Sequence, residues 1–171
     1  MKMFDRAGAI YPLYYYKGVF VEMDLKEKLL SEIKTLLHSQ LFGVLATKGV
    51  EYPYSSLVGY AVSKDARDIY FATIRDTRKY KNLIASPQVS LLINNVTNKV
   101  NDLVDAHALT VLGVASEVGQ DSLDFALSLY FNKHPYLKEF VSAPNCALIR
   151  IHVSRYISVT NFQSVMEYTM Q

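Results

Sequence analysis

A mainly β fold, an antiparallel barrel with helices packed against its outside, is what this 171-residue sequence predicts. Three observations carry the prediction. Alternating apolar runs come in hairpin-spaced groups rather than in strict β-α order, which favours antiparallel pairing. Seven such half-buried runs in so short a chain would leave open edges in a flat sheet, and closure removes them. Helical spacing is confined to two long stretches and one short one.

The first helix is DLKEKLLSEIKTLLH, residues 24–38, with Leu25, Leu29, Ile33, Leu36 and Leu37 on one face and Asp24 as its N-cap. LFGVLATK (41–48) reads as a strand, and Lys48-Gly49 as a turn. EYPYSSLVGYAV (51–62) pairs back on it, SKDAR turns again, and DIYFAT (68–73) is the third strand. A short helix over 77–86 stops before Pro87. QVSLLINNV (88–96) is a strand and TNKVNDLVD a polar loop. HALTVLGVASEV (107–118) alternates, with Gly113 marking a bulge or bend. DSLDFALSLYFNKH (121–134) is the second long helix, capped by Asp121 or Ser122 and ended by Pro135. CALIRIHV (146–153) and RYISVT (155–160) are the last two strands.

Half the residues are hydrophobic and 20% are charged, the balance of a globular chain. Residues 24–171 form one domain, preceded by an N-terminal arm, 1–23, whose YPLYYYKG segment is expected to pack on its own domain or on a partner subunit. Net charge is +2 with no broad basic stripe, so nucleic acid is not an expected partner. One cysteine, Cys146, excludes an internal disulfide framework and reads as a small buried hydrophobe. The N-terminus lacks the continuous apolar core of a signal peptide, and no apolar run reaches the ~20 residues of a membrane span. A cytoplasmic location, with no membrane partner, is expected. No nucleotide-binding glycine motif, P-loop, nucleophile elbow or HExxH occurs.

The informative stretch is FATIRDTRKYKNL (71–83), where Arg75, Arg78, Lys79 and Lys81 crowd a strand end and a helix start. A helix N-terminus presents unsatisfied N–H groups and a positive dipole end. Cations in that first turn are disfavoured unless an anion offsets them. Two readings fit: a solvated basic face capped by Asp76, or a phosphate held by Thr77, Arg78 and Lys79.

In the same stretch, YFATIRDTRKYKNLIASPQVSLLI resembles the FMN-binding split barrel of the pyridoxamine 5′-phosphate oxidase superfamily. EYPYSSLVGYAV upstream is similar to its G-x-P-x-x-SLV strand, and ALTVLGVASEV downstream to its V-x-V-x-G-x-A strand. The resemblance runs over roughly residues 25–160, in the family's order. It implies that Thr77, Arg78 and Lys79 grip the phosphate of FMN. It places Ala72 and Thr73 beside the ribityl chain and ring, and Ser55, Ser56, Leu57 and Val58 along the isoalloxazine edge. It further implies a homodimer with flavin at the interface, and an oxidoreductase or flavin reductase acting on a small molecule, with NAD(P)H a candidate electron donor. Alternatives are a non-catalytic flavin or haem carrier and a barrel with an empty site.

The chain departs from the oxidase at two places. Ala108 stands where the oxidase carries a glutamine, with His107 before it, and His107 is placed near the expected flavin. NFQSVMEYTMQ contains no Arg, Lys or His where the oxidase has an arginine-rich segment. Oxidation of pyridoxamine 5′-phosphate is therefore not expected. PYSSLVGYAV and the stretch from NKHPYLKEFV to the tail look closer to the haem-degrading branch of the superfamily. His134, at a helix end, and His152, beside Arg150, read as structural.

Overall fold

The computed structural model describes residues 20–161 and 164–170. The tyrosine-rich segment 11–18 of the expected arm lies outside the described residues. In chain order the elements are α1 (Phe20–Ser39), β1 (Phe42–Lys48), β2 (Pro53–Val62), β3 (Asp68–Ile74), α2 (Arg78–Ala85), β4 (Gln88–Asn94) and α3 (Asp102–Asp105). Then come β5 (His107–Glu117), α4 (Gln120–Lys133), a 3-10 turn (Pro135–Leu137), α5 (Lys138–Val141), β6 (Cys146–Thr160) and β7 (Ser164–Thr169).

The strands run β3-β2-β1-β4-β5-β6-β7, and a further β3–β6 pairing closes the first six into a barrel. Every pairing is antiparallel. The predicted mainly β barrel with flanking helices is the fold. Closure rests on β6, whose first half pairs with β3 and whose second half pairs with β7. The sequence reading split this 15-residue strand in two. It is continuous because the interruption is a bulge: Leu112 faces Arg155 but Gly113 faces Val153, so Ser154 is the extra residue. Gly113 is required there, since a Cβ would lie 2.4 Å from the His152 carbonyl oxygen.

Two apolar clusters flank the barrel wall. Inside lie Leu45, Val58, Tyr60, Ile69, Phe71, Leu91, Leu109, Ile149 and Tyr156, joined by Leu29, Ile33, Leu36 and Leu37 of α1. Each such side chain fully buried is worth ~1.5–3 kcal/mol. Outside, Ala61, Tyr70 and Leu148 pack under Ala126 and Tyr130 of α4. Alternation along β2 and β3 thus serves both clusters, one from each face.

Several boundaries differ from the sequence reading. The first helix begins at Phe20, because no breaker separates Gly18 from Asp24, so Asp24 lies inside it rather than at its cap. Leu25 is 57% exposed and belongs to no buried face. The cap of α4 is the extended Gly119, leaving Asp121 in the first turn, where a carboxylate suits the dipole. The 88–96 run ends at Asn94, whose carboxamide accepts from Val96 N–H at 3.1 Å and turns the chain. In the polar loop, Asp102 accepts from the N–H groups of Thr97 and Lys99, each at 3.0 Å, beside the single turn α3. The tail forms β7, to which the reading assigned no element; Tyr168 and Met170 pack on the inner core.

Candidate functional site

The β2–β3 ladder covers only Tyr60–Val62 of β2, against Ile69–Phe71 of β3. Earlier in β2, Pro53–Gly59 pairs with β1 alone, while Ala72, Thr73 and Ile74 pair with Leu148, Ala147 and Cys146 of β6. The two strands therefore part, and a groove of about 380 Å³ opens between them. Leu57, Val58 and Gly59 form one wall, and Ala72, Thr73 and Ile74 the other. Thr77 and Lys79 stand at one end; Tyr130, Leu137 and Phe140 line it from the α4–α5 side.

Thr77 is the N-cap of α2, and its hydroxyl accepts from Tyr80 N–H at 3.4 Å. The same hydroxyl donates to the Ile74 carbonyl at 2.8 Å and lies 3.0 Å from the Thr73 hydroxyl. Asp76, the alternative cap in the sequence reading, is exposed and does not cap. The amides of Arg78 and Lys79, the first two residues of α2, have no intrahelical acceptor. No acid stands in the first turn, and no ion pair holds Lys79 among the described residues.

The basic cluster divides by role. Arg75 is structural: its guanidinium donates to the carbonyls of Pro144 (3.1 Å) and Cys146 (2.9 Å) and pairs with Glu117. Tyr80 OH donates to the same carboxylate at 2.8 Å. Burial pulls the Glu117 carboxyl up, but the bonds from Arg75 and Tyr80 outweigh it and hold it below the usual range. Arg78 turns the other way, over the Tyr54 ring at 5.6 Å, into a second hollow between the β1–β2 hairpin and Asn82. Lys79 is the one cation of the four that lines the groove.

Of the residues expected to hold a ligand, Leu57, Val58, Ala72, Thr73, Thr77 and Lys79 meet in one place. Ser55 is exposed on β2, paired with Ala46. The Ser56 hydroxyl is buried without a hydrogen-bond partner among the described residues. His107 lies elsewhere: it opens β5, opposite Thr160, with Nε2 2.8 Å from Ser158 Oγ. Burial lowers its pKa, against the pull of Glu32 from α1. Within one subunit the structure does not bring His107 to the groove.

Sequence reasoning missed Tyr130, Leu137 and Phe140. Tyr130 follows Ala126 at i+4 in an apolar stripe, a pattern that reads as core packing, and the side chain is 1% exposed. His134 is buried at the end of α4, with Nε2 2.8 Å from the Tyr60 carbonyl oxygen and its ring on Tyr130. His152 is exposed and sits 2.9 Å from Asp68. Cys146 is free and buried, and burial raises its pKa. No cluster of three or more potential metal ligands occurs among the described residues. None of the described helices is long and apolar enough to cross a membrane.

Comparison with known proteins gives the same frame. No curated protein sequence matches the chain. Among solved structures, a haem-binding protein from Mycobacterium smegmatis superposes with a TM-score of 0.73 at 22% identity, covering 81% of this chain. This chain spans only 56% of the length of that protein. A Clostridium acetobutylicum protein related to general stress protein 26, of the pyridoxinephosphate oxidase family, gives a TM-score of 0.66 at 14% identity, covering 84% of this chain and 96% of its own. A FAD-binding protein from Mesorhizobium loti gives 0.58 at 21% identity, with coverages of 75% and 90%. At these identities the likeness establishes the fold. The family model described as pyridoxamine 5′-phosphate oxidase matches residues 29–160, well over half of the sequence, and the chain belongs to that family.

Proposed function

We propose that the groove binds FMN and that the protein is a homodimeric flavin-dependent oxidoreductase. One observation carries the reading: the β2 edge, the β3 end and the N-terminus of α2 converge on a single groove containing Lys79. The donor set suits the ligand. The free amides of Arg78 and Lys79 and the Lys79 ammonium offer charge-assisted bonds to a phosphate. Small Ala72 leaves room beside the strand end, and the unpaired backbone of β2 offers donors and acceptors to a heteroaromatic edge. Leu57, Leu137 and Phe140 supply apolar walls that keep water from a bound ring. When bound, a flavin supplies hydride and one-electron chemistry; the protein supplies orientation and access.

The substrate is not pyridoxamine 5′-phosphate on this reading. Arg155, a cation that could otherwise meet a substrate phosphate, is paired with Glu167 at 3.0 Å. A haem carrier is the second reading, favoured by the fold shared with the M. smegmatis protein. Against it, the residues lining the groove include no histidine to ligate haem iron.

Titration of apo-protein with FMN and with riboflavin tests the assignment. FMN is expected to bind at least tenfold tighter, because riboflavin lacks the phosphate. Lys79→Ala should lower FMN affinity by ~1.5–3 kcal/mol, the worth of one charge-assisted bond, and leave riboflavin unchanged. Arg78→Ala should cost less, since its side chain stands over Tyr54. Equal affinity of the wild type for the two ligands defeats the phosphate site. The absorption spectrum of purified protein separates flavin from haem.

A further inference from the structure

The point where β2 and β3 separate is occupied by one side chain. Just beyond the ladder, the Ser63 N–H donates to the Asp68 carbonyl at 2.9 Å, which fixes which rungs of the register are hydrogen-bonded. Antiparallel pairs alternate between bonded and non-bonded. In the observed register, Ala61 opposite Tyr70 is the next bonded pair, and Gly59 opposite Ala72 would be the one after. That rung is absent from the ladder. In its place, the Tyr130 hydroxyl donates to the Gly59 carbonyl at 3.2 Å, and the Ala72 backbone N–H lies close enough to the same phenol oxygen to pull its pKa down.

We propose that Tyr130 is a positioning residue whose hydroxyl replaces the Gly59–Ala72 rung, holding the two strands one hydroxyl apart and so setting the width of the ligand groove. A phenol is suited to this because it both accepts and donates through one atom. Rigidity comes from below: the ring packs in the cluster with Ala61, Tyr70, Ala126 and Leu148, and the His134 ring lies 4.9 Å away. Gly59 also leaves room for the His134 ring behind the phenol, since a Cβ there would lie a tight 3.3 Å from His134 Cε1. Burial pushes the phenol pKa up to about 12, with the Ala72 N–H acting in the opposite sense, so the hydroxyl keeps its proton at neutral pH.

The proposal rests on the groove being the ligand site, and the test separates the two. Tyr130→Phe keeps the ring and removes one oxygen. In the apo-protein, amide exchange at Ala72 is expected to accelerate tenfold or more, while Ile69 and Ala147 keep wild-type rates. FMN and riboflavin affinities should fall by the same factor, about tenfold, because the rung acts on the groove walls and not on the phosphate. If the Phe variant does not fold, Tyr130→Met, also lacking the hydroxyl but able to fill the space, carries the same expectation. Unchanged exchange at Ala72 in a folded variant overturns the proposal, whatever happens to affinity. A global rise in exchange overturns it as well, by showing only lost stability. A wild type that binds neither ligand overturns the proposed function, while the exchange comparison still tests the rung.

Discussion

The Lys133 ammonium donates to the Leu37 carbonyl at 2.8 Å and stands 4.0 Å above the Tyr60 ring, whose own hydroxyl donates to Leu37 at 2.9 Å. The last turn of α1 is thereby fastened to the barrel, cations and donors being favourable at a helix C-terminus. Burial lowers the Lys133 pKa from the ordinary 10.5 to about 8. Because the folded value is the lower one, the unfolded chain holds more protons between those limits, and this residue makes stability rise with pH across that window. Below about pH 8 both states are protonated and the contribution is flat. Urea denaturation of wild type and Lys133→Met at about pH 7.5 and about pH 10 is the check, since the difference between the proteins cancels the buried tyrosines. The wild type should gain on the variant at the higher pH; parallel behaviour would remove Lys133 from the account. At this scale the sequence was informative about Thr77 and uninformative about the cations. Arg75, Arg78 and Lys79 stand within five residues, yet one binds Glu117, one covers Tyr54 and one lines the groove. Side-chain direction depends on partners distant in sequence, and Glu117 is 42 residues from Arg75.

Among the elements, β6 decides the architecture. It can serve β3 first and β7 later because the Ser154 bulge adds twist where the partner changes. Gly113, opposite the bulge, is the residue most exposed to substitution. In Gly113→Ala the new methyl would meet His152 O at 2.4 Å and Ile151 Cγ2 at 2.7 Å. A loss of about 3 kcal/mol in denaturant unfolding is expected, at the upper end of overpacking costs. Gly119→Ala is the control: its Cβ would meet nothing within 4 Å, and its cost as an N-cap change should stay below about 1 kcal/mol. Comparable losses in the two variants would count against the close-approach argument. Gly113 was legible because a glycine interrupting an alternating run has few structural uses. The tail strand β7 was less so, because only Met166, Tyr168 and Met170 alternate and the run carries Glu167 as well.

For the whole molecule, the unresolved debt is an exposed apolar face. Val44 pairs with Leu57 on one side and Leu92 on the other, and their exposures are 37%, 68% and 39%. Phe42 and Leu41 extend the patch, at 54% and 49%. Leu57 also walls the groove, so a surface laid on this face would cover the ligand site. We propose a second copy of the chain as that surface, in a dimer whose interface exceeds about 2,000 Å². Light scattering of the wild type at low micromolar concentration should give twice the 19.4 kDa chain mass. Phe42→Lys should give a monomer with weaker FMN binding. A wild-type monomer that still holds FMN would defeat the dimer.

What the sequence determined by itself was the barrel class, most of its strands and the helix start at Thr77, whereas the groove's strand residues came only from the family resemblance. The first three depend on period-two alternation, turn residues and local capping, all written over a few consecutive positions. The tertiary structure decided the rest. It joined two predicted strands into β6, assigned the basic residues to different partners, carried His107 away from the groove and set Tyr130 into the gap between Gly59 and Ala72. Those outcomes turn on contacts between residues 51 and 71 positions apart, as for His107 with Ser158 and Tyr130 with Gly59. Only closure of the barrel and the docking of α4 bring such residues together, and no local pattern encodes which atoms will meet.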